Sequence, residues 1–312
     1  MKLQYLTILL DDSSVPFCAY DSSNTHNLIK LSDLKCGIEY AINNDLYLQI
    51  AYPEYALPEE YTQLLSSVEH IVISPYESAS VSSDIVVLTK NVEKTAIVPL
   101  EAVYIININS SQLSDLYNMV KAVYQSTSRI NIILSDIENF SEVEFDLYKQ
   151  QLEKIRNLIS VTDIKGVTCQ INVLTDLLFI SNMNNCNAGL TSITLAPNGK
   201  LYICPAFYYS SIDFSCGDVR EWEIKNQQLL KLDNAPICLL CDAYHCKRCL
   251  HKNFIQTLEI NTPSYEQCYI SHIEREQSRL LNQSINGKLR NIKEIDYMDP
   301  FEKITKQNLK SL

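Results

Sequence analysis

Residues 186–204 read CNAGLTSITLAPNGKLYIC, and residues 238–249 read CLLCDAYHCKRC. The first stretch is a Cys-x12-Gly-x4-Cys segment running from Cys186 through Gly199 to Cys204. The second is a Cys-x2-Cys-x4-Cys-x2-Cys run formed by Cys238, Cys241, Cys246 and Cys249. With Cys216 and Cys268, they place eight of the chain's 11 cysteines between residues 186 and 268. Eight thiols suffice for two four-thiolate metal sites.

Two residues between cysteines on a tight turn let both sulfurs face one metal. The two pairs here share only twelve residues. That is too close for a zinc ribbon, whose pairs stand roughly 15–20 residues apart. The short Cys241-x4-Cys246 step allows another arrangement, in which Cys249 turns towards Cys186 and Cys204 while Cys268 takes the vacated place. Thiolates suit zinc and iron–sulfur clusters alike, so spacing alone leaves both open. Cys216 reads either as a ligand or as a small buried residue. Cys18, Cys36 and Cys169 are isolated and read as core.

Outward from the cysteines, LTSITLAP and GKLYIC flank an Asn198-Gly199 step, the strongest short hairpin signal, so Cys204 is expected on a return strand. Residues 221–232 read as a helix, and so do residues 264–283, with Cys268 in the first turns. The tail from 284 is polar. Towards the N-terminus, apolar runs at 3–10, 46–52, 70–75, 84–90, 102–109, 129–136 and 166–174 read as strands. Helical patterns at 32–43 (Ser32 as N-cap), 58–67, 110–126 and 141–159 lie between them, the last with a Ser141/Glu144 capping box. This alternation predicts a parallel α/β layer, either doubly wound or an open, partial barrel, with the rhythm ending near residue 180.

The chain has 312 residues, 46% hydrophobic and 20% charged, the balance of a soluble globular protein. Six glycines argue against a glycine-rich nucleotide-binding loop. A net charge of −11 without a basic stripe argues against nucleic-acid binding. The start, MKLQYLTILLDDSS, reads as a strand and not a signal peptide, and no apolar window is long enough to span a membrane. The expected compartment is the cytoplasm, where clustered cysteines mean metal or redox chemistry before disulfides.

The cysteine pattern resembles the SPASM domain, the C-terminal extension of many radical SAM peptide-modifying enzymes. The Gly199-x4-Cys204 step matches, while the compact run is one residue shorter than the domain's at each of its last two spacings. LAPNGKLYICPAFYY (195–209), NAPICLLCDAYHCKRCLHKN (234–253), LEINTPSYEQCYISHIERE (258–276) and YPEYALPEEY (52–61) together are similar to the CXXX repeat peptide maturase family over nearly the whole chain. Members accompany a radical SAM enzyme and a precursor peptide with repeated Cys-x-x-x motifs.

The resemblance implies a degenerate partial (β/α) barrel, radical SAM-like, over residues 1–180. A small SPASM-like cysteine-rich metal-binding domain would follow over 181–283, then a polar tail over 284–312. It implies two iron–sulfur clusters of the 4Fe-4S type, with zinc as the alternative. Cys238, Cys241, Cys246 and Cys268 would hold one cluster; Cys186, Cys204 and Cys249 would hold the other. The usual fourth ligand of the second cluster lies a few residues before Cys186, where FISNMNN (179–185) has no cysteine. Cys216 substitutes, or the site is open, or the metal differs. The Cys-x3-Cys-x2-Cys triplet that holds the S-adenosylmethionine-cleaving cluster is missing before Cys186, so the barrel half is not expected to generate a radical alone.

Three functions follow. One is an accessory iron–sulfur protein acting with a radical SAM peptide maturase on a cysteine-repeat precursor peptide. The others are a zinc-stabilised peptide-binding module, and an enzyme using an unrecognised site in the α/β half. His245, His251 and His272 are candidate neighbours of the metal sites, and Phe207, Tyr208 and Tyr209 either line a peptide groove or pack in the core. Glu59 and Glu60 read as a solvated helix face, and no Ser-His-Asp or phosphate-loop signature is evident.

Overall fold

The structure is a computed structural model. It describes residues 2–23, 25–80, 82–90, 102–162, 169–179, 186–210, 213–238, 241, 243 and 249–285. The strands are β1 (Tyr5–Leu9), β2 (Tyr47–Ala51), β3 (Ile71–Pro75), β4 (Ile85–Leu88), β5 (Val103–Ile108), β6 (Arg129–Leu134), β7 (Gln170–Ile171), β8 (Ser192–Leu195), β9 (Lys200–Tyr202) and β10 (Gly217–Asp218). Among the described residues they form one ten-stranded sheet in the order β10-β9-β8-β1-β2-β3-β4-β5-β6-β7. Pairing is parallel from β8 through β1 to β7 and antiparallel for β9 and β10.

Strands β1 to β7 lie in chain order, so each crossover steps to the next neighbour. Right-handed crossovers then keep the helices on one face. A doubly wound sheet would reverse its order partway, which these strands do not. β8 returns to the free edge of β1, the place an eighth strand takes in a closed barrel. Of the two windings compatible with the sequence, the strand order is the singly wound one.

The helices are α1 (Leu31–Asn43), α2 (Glu59–Ser66), α3 (Leu116–Val123), α4 (Glu142–Thr162), α5 (Asn172–Phe179), α6 (Pro205–Tyr208), α7 (Leu250–Thr257) and α8 (Tyr265–Ser284). Alternation along the strands sorts the core into two faces. Leu6, Ile8, Leu48, Ile50, Ile193 and Leu195 pack under Leu34 and Ile38 of α1 and Tyr61 and Leu65 of α2. Val86, Leu88, Tyr104, Ile106 and Ile132 pack under α3, α4 and α8. The intervening residues Leu9, Ala51, Ile73, Val87 and Ile105 face the opposite side, where Val15, Phe17, Tyr208 and Tyr209 cover them.

Several boundaries differ from the sequence reading. Lys30, not Ser32, occupies the α1 N-cap. Residues 110–126 divide into a 3-10 turn (Ser110–Asp115) and α3, because Asn109 and Gln112 form a capping box and Asp136 fixes Ser110. The strand expected at 166–174 is only Gln170–Ile171 among the described residues. Asn172 pairs its side-chain amide with both backbone groups of Ile132, and Thr175 bonds back to Ile171, so the chain turns into α5. The helix expected at 221–232 is instead a bridge from Trp222 to Gly217 followed by two 3-10 turns, broken where Asn226 takes φ 54°. The Ser141/Glu144 cap and the helix starting after Ser264 form as read, and no described helix is long and apolar enough to cross a membrane. Residues 286–312 of the expected tail lie outside the described residues.

Candidate functional site

The β8–β9 hairpin carries the first cysteines. Its turn closes through Ala196 N–H to the Lys200 carbonyl (3.0 Å) and Gly199 N–H to the Ala196 carbonyl (2.9 Å). Gly199 adopts φ +77°, which explains a glycine at the fixed point of the Gly-x4-Cys step. β9 ends at Tyr202, so Cys204 lies two residues past the return strand and forms the N-cap of α6. Cys186 sits ahead of β8, before a tight loop in which Asn187 and Gly189 have φ 60° and 72°. Cys249 is the N-cap of α7, its sulfur accepting the Lys252 N–H at 3.5 Å.

The charges of these three thiols act on one another, and a fourth thiol feels all three. Burial, then Cys249 and Cys186, push the Cys204 thiol well above its ordinary value, while the Phe207 and Ala206 amides act against the rise. Burial and Cys186 push Cys249 to about 11, opposed by the Lys252 and His251 amides and the Lys252 ammonium. Cys18, which the sequence reads as core, is only half-buried. After burial, the groups that raise its thiol are Cys204, Cys249 and Cys186, in that order.

The loop after β1 is built to hold Cys18 there. Asn107, buried on the inner face of β5, donates its amide to the Pro16 carbonyl at 2.7 Å and the Cys18 carbonyl at 3.3 Å. The Cys18 carbonyl also accepts the Tyr20 N–H at 2.8 Å. Asp12 accepts the Tyr208 hydroxyl on its carboxylate and the Tyr209 hydroxyl on its carbonyl, the latter at 3.0 Å. Fully buried Asp11 accepts the Ser13 N–H (2.9 Å) and the Tyr55 hydroxyl (2.9 Å).

A second set gathers Cys238, Cys241 and Cys268. A turn brings the Cys241 N–H to the Cys238 carbonyl at 3.2 Å, and Cys268 lies in the first turn of α8 behind its cap Ser264. Burial, then Cys238 and Cys241, raise the Cys268 thiol to about 12. Cys246 and His245 lie outside the described residues.

Cys216 stands apart: its thiol is raised by burial and held back by the Ile203 amide, with no cysteine acting on it among the described residues. Its N–H pairs with the Leu201 carbonyl at 2.7 Å, at the start of β10. Cys169 is buried core, and Cys36 lies half-buried on α1. His251 shares a 3.0 Å hydrogen bond with Ser210 and packs its ring edge-on to Phe207, and burial lowers it to about 4. His272 is half-buried on α8. Phe207 is core, while Tyr208 and Tyr209 cover the inner face of the sheet.

Cys18, Asp12, Asn107 and Lys252 were not legible as site residues. The available signal was position, since Cys18 lies in a long loop leaving the first strand, where functional residues collect. Lys252 is buried, its ammonium donating to the Ser135 carbonyl and to Glu138 Oε2 at 2.7 Å.

Among the described residues, no three His, Cys, Asp or Glu side chains close on a common point in metal-binding geometry. In kind, the donors fit a thiolate-held metal or cluster. They are soft sulfurs from separate elements, with amide N–H groups at Cys204 and Cys249 that act against the rise burial imposes.

No family model matches the sequence, and no curated protein matches it. Among solved structures, the chain is similar to Streptococcus suis SuiB bound to precursor peptide SuiA. The TM-score is 0.50 at 11% identity, over 86% of this chain and 76% of that one. SuiB bound to S-adenosylmethionine gives 0.48 at 12% identity, over 86% and 77%. A third SuiB structure gives 0.49 at 11%, over 85% and 77%. At this identity the likeness to the peptide-bound structure is one of fold, an α/β chain wound about a mixed sheet.

Proposed function

We propose that this chain is an iron–sulfur-binding maturation protein for a ribosomally made peptide of repeated Cys-x-x-x motifs, acting beside a radical SAM partner. What supports this reading is that the clustered cysteines influence one another's charge in two groups, Cys186/Cys204/Cys249 and Cys238/Cys241/Cys268. That is the interleaved division the SPASM resemblance implies, with Cys249 leaving the compact run and Cys268 entering it. The likeness in fold to SuiB, solved with a precursor peptide, supports a peptide partner. The division into a barrel-like 1–180, a SPASM-like 181–283 and a tail from 284 belongs to the same proposal.

Bound clusters would supply one-electron redox capacity, or iron to which a substrate thiolate can bind. The chain's own residues do the positioning. Cys204 and Cys249 are held at helix starts, where the Phe207 and Ala206 amides at Cys204, and the Lys252 and His251 amides with the Lys252 ammonium at Cys249, offset part of the rise that burial imposes. Glu138 and the Ser135 carbonyl fix that ammonium, tying α7 to the end of β6. Cys268 is oriented by the Ser264 cap of α8.

Anaerobic purification with iron, sulfide and zinc analysis tests the cofactor. A brown protein with matched iron and sulfide is expected; a colourless protein with stoichiometric zinc would overturn cluster binding in favour of a zinc-stabilised peptide-binding module. Co-purification with the radical SAM protein and peptide tests the partnership. Modification of the peptide by this chain alone would overturn the accessory role.

A further inference from the structure

The Cys186/Cys204/Cys249 set is one thiol short, and FISNMNN (179–185) offers none. Cys216, the sequence's substitute, lies just before the edge strand β10 with no cysteine acting on it among the described residues. Three packing relationships bring another thiol to the set. Phe17, next to Cys18, packs in one cluster with Tyr208 and Tyr209, which follow Cys204. Tyr20 stacks on Tyr209 with ring centroids 5.0 Å apart. The Asp12 loop accepts both Tyr208 and Tyr209 hydroxyls. The other two cysteines are drawn to the same place by their own neighbours. His251 of α7 meets Phe207 and Ser210 of the Cys204 segment, and Leu250 packs with Leu190 from the loop after Cys186.

We propose that Cys18 is the fourth thiol of this site, so that one thiolate-held metal or cluster joins the loop after β1 to the hairpin, the pre-β8 loop and the start of α7. The site is then closed by protein sulfur, so of the two roles given above this site takes the electron-transfer one and not the binding of a substrate thiol. This assignment rests on iron–sulfur binding as proposed above, for the identity of the group held. Asn107 is a positioning residue: its amide grips the carbonyls on both sides of Phe17 and sets where the Cys18 sulfur points.

Two measurements on the full chain separate the two claims. In metal-free reduced protein, dibromobimane bridges thiols that face one another. Peptide mapping is expected to find Cys18 joined to Cys204, Cys249 or Cys186. Cys18 modified singly, with the other three bridged among themselves, would overturn the assignment. In anaerobically reconstituted protein, Cys18→Ser is expected to lose about half of the bound iron, or to convert one cluster to a three-iron form seen by electron paramagnetic resonance, as for a cluster held by four cysteines. Cys216→Ser is expected to keep all of it. Full iron in Cys18→Ser, with loss in Cys216→Ser, overturns the assignment in favour of Cys216. Wild-type protein that takes up no iron but forms the Cys18 bridges leaves the four-thiol site standing and overturns the cluster-binding function. If Cys18→Ser fails to fold, the bridging result on wild-type protein decides.

Discussion

Tyr20 stacks on Tyr209, with ring centroids 5.0 Å apart and planes 11° apart. One residue belongs to the loop after β1 and the other follows α6, so a single aromatic pair holds the start of the chain to the exit of the hairpin. Each ring also carries a polar tether, Tyr20 to the Val15 carbonyl at 3.1 Å and Tyr209 to the Asp12 carbonyl at 3.0 Å. Stacked rings suit such a joint because they order few torsions for the area they cover.

Tyr209→Phe keeps the stack and deletes one hydrogen bond, so the expected loss of stability is about 1 kcal/mol. Tyr209→Ala removes the ring as well and is expected to cost about 3 kcal/mol. Urea unfolding of both variants checks this. Equal losses would mean that the stack contributes nothing and the hydrogen bond is the joint.

Asn107 acts on the same loop from the sheet. Removing its amide in Asn107→Ala leaves the Pro16 and Cys18 carbonyls without that donor, at a cost of about 1–3 kcal/mol. Because the residue lies on the inner face, the effect is expected to be local. Hydrogen exchange should quicken at the Tyr20 amide, which bonds the Cys18 carbonyl, and stay unchanged at the amides of α3 and α4 on the helical face. Uniform acceleration across both faces would show that Asn107 supports the whole sheet and not the loop.

How far the sequence reaches differs between the fold and the site. The long strands were legible because β-branched runs such as VYIINI and RINIIL need only local periodicity. Residues 221–232 were not, because a single left-handed Asn226 and the pairing of Trp222 with Gly217 override an amphipathic pattern. Likewise, Asn172 takes over the backbone pairing of a strand with its side chain, and periodicity carries no trace of that. In the site, Cys186, Cys204 and Cys249 were marked by spacing. Cys18 was not, since its approach to them depends on a loop folding across the sheet and on tyrosines almost two hundred residues away in sequence. Spacing reports neighbours along the chain; convergence of distant segments is set by packing.

Gly37 tests the helical face. On an exposed helix, Gly→Ala stabilises by about 1 kcal/mol. Here a Cβ would stand 2.4 Å from Leu195 Cδ2 and 3.3 Å from Ile8 Cδ1, both in fully packed side chains. Overpacking of that kind costs about 1–3 kcal/mol, so Gly37→Ala is expected to be destabilising overall. Adding Leu195→Val should recover part of the loss, because it shortens the side chain that the new methyl meets. A Gly37→Ala variant more stable than wild type would show that α1 shifts away from β8 without cost.

Cys241 separates what a thiol does by packing from what it does as a ligand. It is half-buried on a turn whose backbone bond, Cys241 N–H to the Cys238 carbonyl at 3.2 Å, needs no side chain. In metal-free protein, Cys241→Ala is therefore expected to shift stability by less than about 1 kcal/mol, as a surface-near truncation does. In reconstituted protein the same substitution should lose the metal of one site. It should also lower the melting temperature much further, because a ligand that binds only the folded state adds its binding free energy to folding. Thermal melts of both variants with and without metal, alongside metal analysis, check the contrast. The same small shift in both states, with unchanged metal content, would remove Cys241 from the second thiol set and leave Cys238 and Cys268 to be explained as core.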